Sequence, residues 1–231
     1  MVVFPGGLEA AAVIFDFDGI IVDTEPLHYQ AFQKVLTPLG LGFSWQEYVD
    51  TYMGFDDRDA FIEVFAAKGK SVALPELHNL IDHKANIFQQ VIRDGVTAYP
   101  GVLGLINRLH QERIPLAISS GALLCDIIPI LKTLNIADCF DIIVTADDVT
   151  KSKPDPECYR LAFEKLISHF PSIPLSPAKT IAIEDTPAGI TSAKSAGLQV
   201  IAVTNSYSRN IISEATFVVE SLEELLEFRL A

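Results

Sequence analysis

Basic residues are scarce in this chain: 17 Lys and Arg stand against 30 Asp and Glu, a formal net charge of −13 over 231 residues. No basic run breaks that balance, so a nucleic-acid surface is not expected, nor is docking on an anionic membrane. An anionic small substrate stays open, but it needs local help from a metal or a few buried cations. Long hydrophobic runs are missing as well. The longest, such as Ala10 to Phe15, fall far short of the roughly 20 residues that a helical membrane span needs. Cysteine is sparse and odd in number (Cys125, Cys139, Cys158), which suggests neither a disulfide framework nor a zinc site. The N-terminal residues carry neither a basic segment nor a long apolar stretch, so a reduced, cytoplasmic compartment is expected.

What is present suits a buried core: 49% of residues are hydrophobic and 20% charged. Short runs rich in β-branched residues occur at Ala12–Phe15, Leu116–Ser119, Ile142–Thr145, Thr180–Ile183, Val200–Thr204 and Phe217–Val219. Most are continuously apolar, as strands buried on both faces of a parallel sheet are. Helical faces lie between the later runs, with Leu103, Ile106 and Leu109 before the second and Tyr159, Ala162, Phe163 and Leu166 before the fourth. This β-α rhythm predicts an α/β fold with a doubly wound parallel sheet. From Glu25 to Arg93 the rhythm stops, and helical patterns replace it. The clearest is Leu77, Leu80, Ile81, Lys84, Ile87, Phe88, Val91 and Ile92, read as cap core. An insert of that length exceeds a loop. The expected organisation is an α/β core of residues 1–24 and 95–231 with a helical cap at 25–94. No repeat is visible. The late acids Glu220, Glu223, Glu224 and Glu227 read as a solvated helix face.

Ligands of open parallel sheets bind at the carboxyl ends of the strands. The first strand ends in Asp16-Phe17-Asp18-Gly19 and the second in Ser119-Ser120-Gly121. A later loop reads Lys151-Ser152-Lys153-Pro154, and the fourth strand ends in Glu184-Asp185-Thr186-Pro187. Paired acids at the end of a buried strand are costly without cations or solvent. Hard carboxylate oxygens select magnesium, which accepts a substrate phosphate. A carboxylate can attack phosphorus, a second can protonate the leaving oxygen, and a lysine can offset charge on the phosphoryl group. Capping explains Thr186 and Pro187 but not the two acids before them. Lys151 competes with Lys153 as the aimed lysine, although Pro154 and Pro156 stiffen the backbone beside Lys153. Alternation alone leaves open which of Ser119 and Ser120 faces the interior.

The set resembles the haloacid dehalogenase superfamily, with Asp16-Phe17-Asp18-Gly19, Ser120, Lys153-Pro154 and Glu184-Asp185 matching its four motifs in order. The longer strings with Asp23-Thr24-Glu25, His28 and Asp185-Thr186-Pro187-Ala188-Gly189-Ile190 are similar to its β-phosphoglucomutase-like subfamily. The resemblance implies a Rossmann-like core, Asp16 as nucleophile and Asp18 as general acid/base. It implies Mg2+ held by Asp16, the Asp18 carbonyl and Asp185, with direct ligation by Glu184 undecided. Ser120 and the Gly121 amide would hold phosphoryl oxygens, and Lys153 would bridge nucleophile and phosphoryl group. Thr24, His28 and Arg58 are the substrate-side candidates. Each has a plain structural reading beside this one: Thr24 as hinge and helix cap, His28 as a satisfied histidine, Arg58 as a solvated helix residue.

Two departures separate the chain from the mutase pattern. Met53 stands where a cap lysine would grip a second phosphate, and Ala122-Leu123-Leu124 is apolar after the second motif. Hydrolysis of a small phosphomonoester, a sugar phosphate by resemblance, is therefore expected, carried out by a monomer. A hexose-phosphate mutase is the near alternative. A phospho-aspartate regulatory module is the distant one, and it needs neither the insert nor Asp18.

Overall fold

The computed structural model describes residues 1–53, 55–92 and 95–230. The strands, in chain order, are β1 (Val2–Val3), β2 (Glu9–Ala10), β3 (Ala12–Phe15), β4 (Leu116–Ser119), β5 (Ile142–Val144), β6 (Thr180–Glu184), β7 (Gln199–Val203), β8 (Phe217–Val219) and β9 (Arg229–Leu230). The α-helices are α1 (Glu25–Leu36), α2 (Trp45–Glu47), α3 (Asp57–Ala67), α4 (Leu74–Val91), α5 (Val102–Gln111), α6 (Leu124–Thr133), α7 (Glu157–His169) and α8 (Pro187–Ser195). The chain divides into two units, Met1–Asp23 with Ala98–Ala231, and Thr24–Thr97. The expected cap boundary at residue 94 lies outside the described residues.

In the first unit, six strands form a parallel sheet in the order β5-β4-β3-β6-β7-β8. β3, β4 and β6 are buried along their whole length, which their unbroken apolar runs require. The order steps outward from β3 to β5, then returns to β6 on the other side. Such a reversal opens a crevice at the carboxyl ends of the strands around β3. Register puts Phe15 beside Ile183 and Ile118. The residues that follow, Asp16, Ser119–Ser120 and Glu184–Asp185, therefore emerge at one edge. Below them, Ile14, Tyr159, Leu166, Ala182, Ile190 and Val200 share one core. Each large aliphatic side chain there contributes about 1.5–3 kcal/mol by leaving water. α5 buries Val102, Leu105, Ile106 and Leu109, with Leu103 only half-buried.

A second sheet, β2-β1-β9, was not expected. Its strands are two residues long, too short to show a period of two. The late acids differ from expectation in part. Leu222–Glu227 is 3-10 helical, and Glu224 accepts hydrogen bonds from the Glu220 and Ser221 amides at 2.7 and 3.2 Å.

The second unit has no strand among its described residues. Its core is aromatic, built on Phe32, Phe43, Tyr48, Tyr52 and Phe61 with Leu36 and Leu77. The α4 stripe is buried at Leu77, Phe88 and Val91, as its spacing predicts. One member of that stripe is a cation: Lys84 is fully buried. Its ammonium donates to Asp57 Oδ1 at 2.7 Å, lies 2.7 Å from His28 Nδ1 and sits over the rings of Phe32 and Phe88. Pairing of this kind is what makes a buried charge tolerable.

Candidate active site

β3 ends at Phe15, and Asp16 follows with 7% of its surface exposed. The chain then turns back on itself. Ile21 N donates to the Phe17 carbonyl at 2.8 Å and Gly19 N to Val22 O at 2.9 Å. Gly19 has φ +81, and a Cβ there would fall onto the Asp185 carboxylate. Both demands select glycine. Gly19→Ala is expected to destabilise the fold by about 1–3 kcal/mol, from backbone strain and the displaced carboxylate. Urea unfolding measures this, and a parental midpoint would contradict it.

β4 delivers the two serines. Ser119 is turned inward, its hydroxyl donating to Cys158 Sγ at 3.0 Å. Ser120 Oγ accepts from Ala122 N at 3.0 Å in the turn beyond the strand, where Gly121 is exposed. The loop before α7 delivers the lysine. Lys153 Nζ donates to Asp16 Oδ1 at 2.8 Å, Glu184 Oε1 at 2.7 Å and the Ser119 carbonyl at 3.0 Å. Lys151 is 71% exposed and lies 3.4 Å from Asp155. Its solvated position leaves Lys153 as the aimed lysine.

β6 delivers the last pair of acids. Glu184 has no exposed surface. Its Oε1 accepts from Lys153 Nζ and from the Tyr159 hydroxyl at 2.8 Å. Its Oε2 accepts from Asp185 N, Thr186 N and Thr186 Oγ1 at 3.1, 3.3 and 3.2 Å. A side chain at Gly189 would occupy the place of that carboxylate. Asp185 Oδ2 accepts from Ser206 Oγ, and Asn205 Nδ2 donates to the Gly19 carbonyl at 2.6 Å. Carboxylate oxygens of Asp16, Glu184 and Asp185 lie within 4.8 Å of one another. With both Glu184 oxygens already accepting protein hydrogen bonds, Asp16 and Asp185 are the hard oxygen donors there that suit a divalent cation, and these residues fit magnesium.

The electrostatics follow from one ammonium among several acids. Burial pushes the Asp16 carboxyl up to about 8; Lys153 opposes this, while the charges of Glu184 and Asp18 add to it. Burial alone would lower Lys153, but Asp16 and Glu184 outweigh it and hold the ammonium above its ordinary value.

Asp16, Lys153, Glu184 and Asp185 are thus brought together, with Ser120 at the end of the neighbouring strand. Asp18 is half-buried in the turn after β3. Thr24, His28 and Arg58 belong to the helical unit. Thr24 is buried at the N-cap position of α1, without a side-chain capping bond. His28 stacks on Phe88 at 4.1 Å, and Arg58 is exposed on α3. Tyr159, Asn205 and Ser206 escaped the sequence reading. Tyr159 sits on an apolar helix face and passes for core. Asn205 and Ser206 follow β7 at the same sheet edge, and that position was their available signal.

The model of the haloacid dehalogenase-like hydrolases matches residues 13–203. A phosphorylated carbohydrates phosphatase of Thermotoga maritima is 29% identical over 191 residues, covering 82% of this chain and 83% of the relative. A β-phosphoglucomutase of Bacillus subtilis is 30% identical over 196 residues, covering 83% and 82%. The crystal structure of CbbY from Rhodobacter sphaeroides in complex with phosphate superposes with a TM-score of 0.83 at 25% identity, covering 94% and 96%. The chain belongs to the haloacid dehalogenase-like hydrolases, in their β-phosphoglucomutase-like branch, and is a phosphatase-type enzyme of that family.

Proposed function

We propose that the protein hydrolyses a small phosphomonoester, a sugar phosphate, through an aspartyl-phosphate on Asp16. The observation that carries this is the buried Lys153 ammonium, shared between Asp16 Oδ1 and Glu184 Oε1 at 2.8 and 2.7 Å beside Asp185. Such a cluster supplies an oriented carboxylate and a fixed cation where phosphoryl charge would develop. Asp16 attacks phosphorus and the ester oxygen leaves, taking a proton from Asp18. Asp18 then removes a proton from water, which hydrolyses the acyl phosphate and regenerates Asp16. The Ser120 hydroxyl and the Gly121 amide hold phosphoryl oxygens. Magnesium, bound by Asp16, Asp185 and the Asp18 carbonyl, would neutralise charge on the phosphoryl group. Glu184 is assigned to Lys153 rather than to the metal, because both its oxygens already accept protein hydrogen bonds. Thr24, His28 and Arg58 remain the substrate-side candidates in the helical unit. Three free cysteines fit the reducing cytoplasm.

Support for a sugar comes from the Thermotoga relative, whose name specifies phosphorylated carbohydrates. The Bacillus relative favours a second reading, a mutase in which a sugar hydroxyl replaces water as the acceptor. Phosphate release from a panel of sugar phosphates, with and without magnesium, tests the proposal. Magnesium-dependent release supports hydrolysis. No release, together with conversion of β-glucose 1-phosphate to glucose 6-phosphate under a bisphosphate primer, supports the mutase.

A pH dependence follows from Asp16. Its carboxyl is raised to about 8 in the metal-free site, so below that pH it holds a proton that a cation must displace. Magnesium affinity should therefore rise with pH, by up to about tenfold per unit, and level off above about 8. Calorimetric titration at several pH values reads this directly. An affinity that is flat from pH about 6 to 8 would contradict it.

A further inference from the structure

Lys153 has three N–H bonds, and Asp16, Glu184 and the Ser119 carbonyl take all three. Any change in the pull of Glu184 is therefore felt at Asp16. One residue outside the four motifs touches both Lys153 and Glu184. Tyr159 is fully buried on the face of α7 that also carries Cys158, Ala162, Phe163 and Leu166. Phenylalanine would fill nearly the same volume there without the cost of burying a phenol hydroxyl. That hydroxyl donates to Glu184 Oε1 at 2.8 Å, and the face of the ring lies 4.8 Å from Lys153 Nζ.

We infer that Tyr159 is a positioning residue that sets how Lys153 is divided between Asp16 and Glu184. By donating to Glu184 it offsets part of that carboxylate's charge and leaves the ammonium aimed at Asp16. The ring supplies a negative face on a further side of the same ammonium. Without the hydroxyl, Lys153 is the sole remaining donor to Glu184 Oε1 among the described residues. The ammonium then shifts toward Glu184, and Asp16 loses its orienting partner. The meaning of Asp16 as nucleophile rests on the proposed function.

Tyr159→Phe keeps the ring and removes the hydroxyl. With p-nitrophenyl phosphate and magnesium, kcat should fall about tenfold with KM unchanged, the size expected for weakening one charged hydrogen bond. The urea midpoint should stay close to the parent's. In a Glu184→Gln background the same change should have little further effect, a coupling that a merely structural role would not produce. A parental kcat for Tyr159→Phe, or effects that simply add in the double variant, would overturn the inference. A second readout separates it from the function itself: formation of the beryllium trifluoride adduct with magnesium, followed by fluorine NMR. If the parent forms the adduct but hydrolyses no ester, the phosphatase reading fails alone. The inference then requires about tenfold weaker adduct formation by Tyr159→Phe, and equal affinity overturns it. A parent that forms no adduct overturns both.

Discussion

Asp16→Asn is expected to abolish phosphate release while leaving the fold as stable as the parent or more so. The amide matches the carboxylate in size but cannot attack phosphorus, so turnover should fall on the order of 10⁴-fold or more. Stability moves the other way for an electrostatic reason. Asp16 is 7% exposed and its carboxyl is raised to about 8, which means that ionising it is unfavourable in the folded chain. A raised acid stabilises the fold at low pH and loses that contribution as pH climbs toward the folded value. A neutral amide removes this penalty near neutrality, the usual relation between a strained site and its function. Paired measurements of kcat and the urea midpoint check both halves. Turnover within tenfold of the parent's would deny Asp16 its role, and a large loss of stability would deny the electrostatic account.

Lys153→Ala should be the most damaging single change to the fold as well as to turnover. It leaves Asp16 and Glu184 buried, the latter without exposure, and removes the ammonium that lies within 2.8 Å of both. Breaking a buried pair from one side costs about 3–5 kcal/mol, because the partner charge is left behind. Here the charge left behind is that of Glu184, and Asp16 loses the ammonium that orients it. Arginine should not rescue the site, because its planar fork cannot direct donors to three separately placed acceptors. Urea unfolding at pH about 7.5 tests this, and a variant within about 1 kcal/mol of the parent would contradict it.

The parts of the site that were legible in the sequence are those tied to strand ends. Asp16, Ser120 and Glu184–Asp185 each follow an apolar run that could only be a buried strand, and a parallel sheet carries such residues to one edge. Lys153 was legible through Pro154 and Pro156, which follow it, although the choice against Lys151 needed the 71% exposure of the latter. The serine register needed the structure too, since both serines are buried and only the Ser119–Cys158 contact shows which one turns inward. What stayed hidden works from positions that look structural. Tyr159 occupies an apolar helix face, and nothing in that spacing distinguishes a core aromatic from one that holds a glutamate. Lys84 lies on the expected apolar stripe, yet its partners Asp57 and His28 come from other helices, 27 and 56 residues away in sequence. The β2-β1-β9 sheet joins both ends of the chain through strands too short to carry a pattern.

The central claim is that a phosphoryl group passes through Asp16. Rapid acid quenching in the first turnover, followed by mass analysis of peptides, tests it most directly. The account predicts a transient phosphoryl adduct confined to the peptide that carries Asp16, absent from Asp16→Asn and decaying as phosphate appears. Steady hydrolysis with no adduct at any time, or an adduct on another residue, would contradict it.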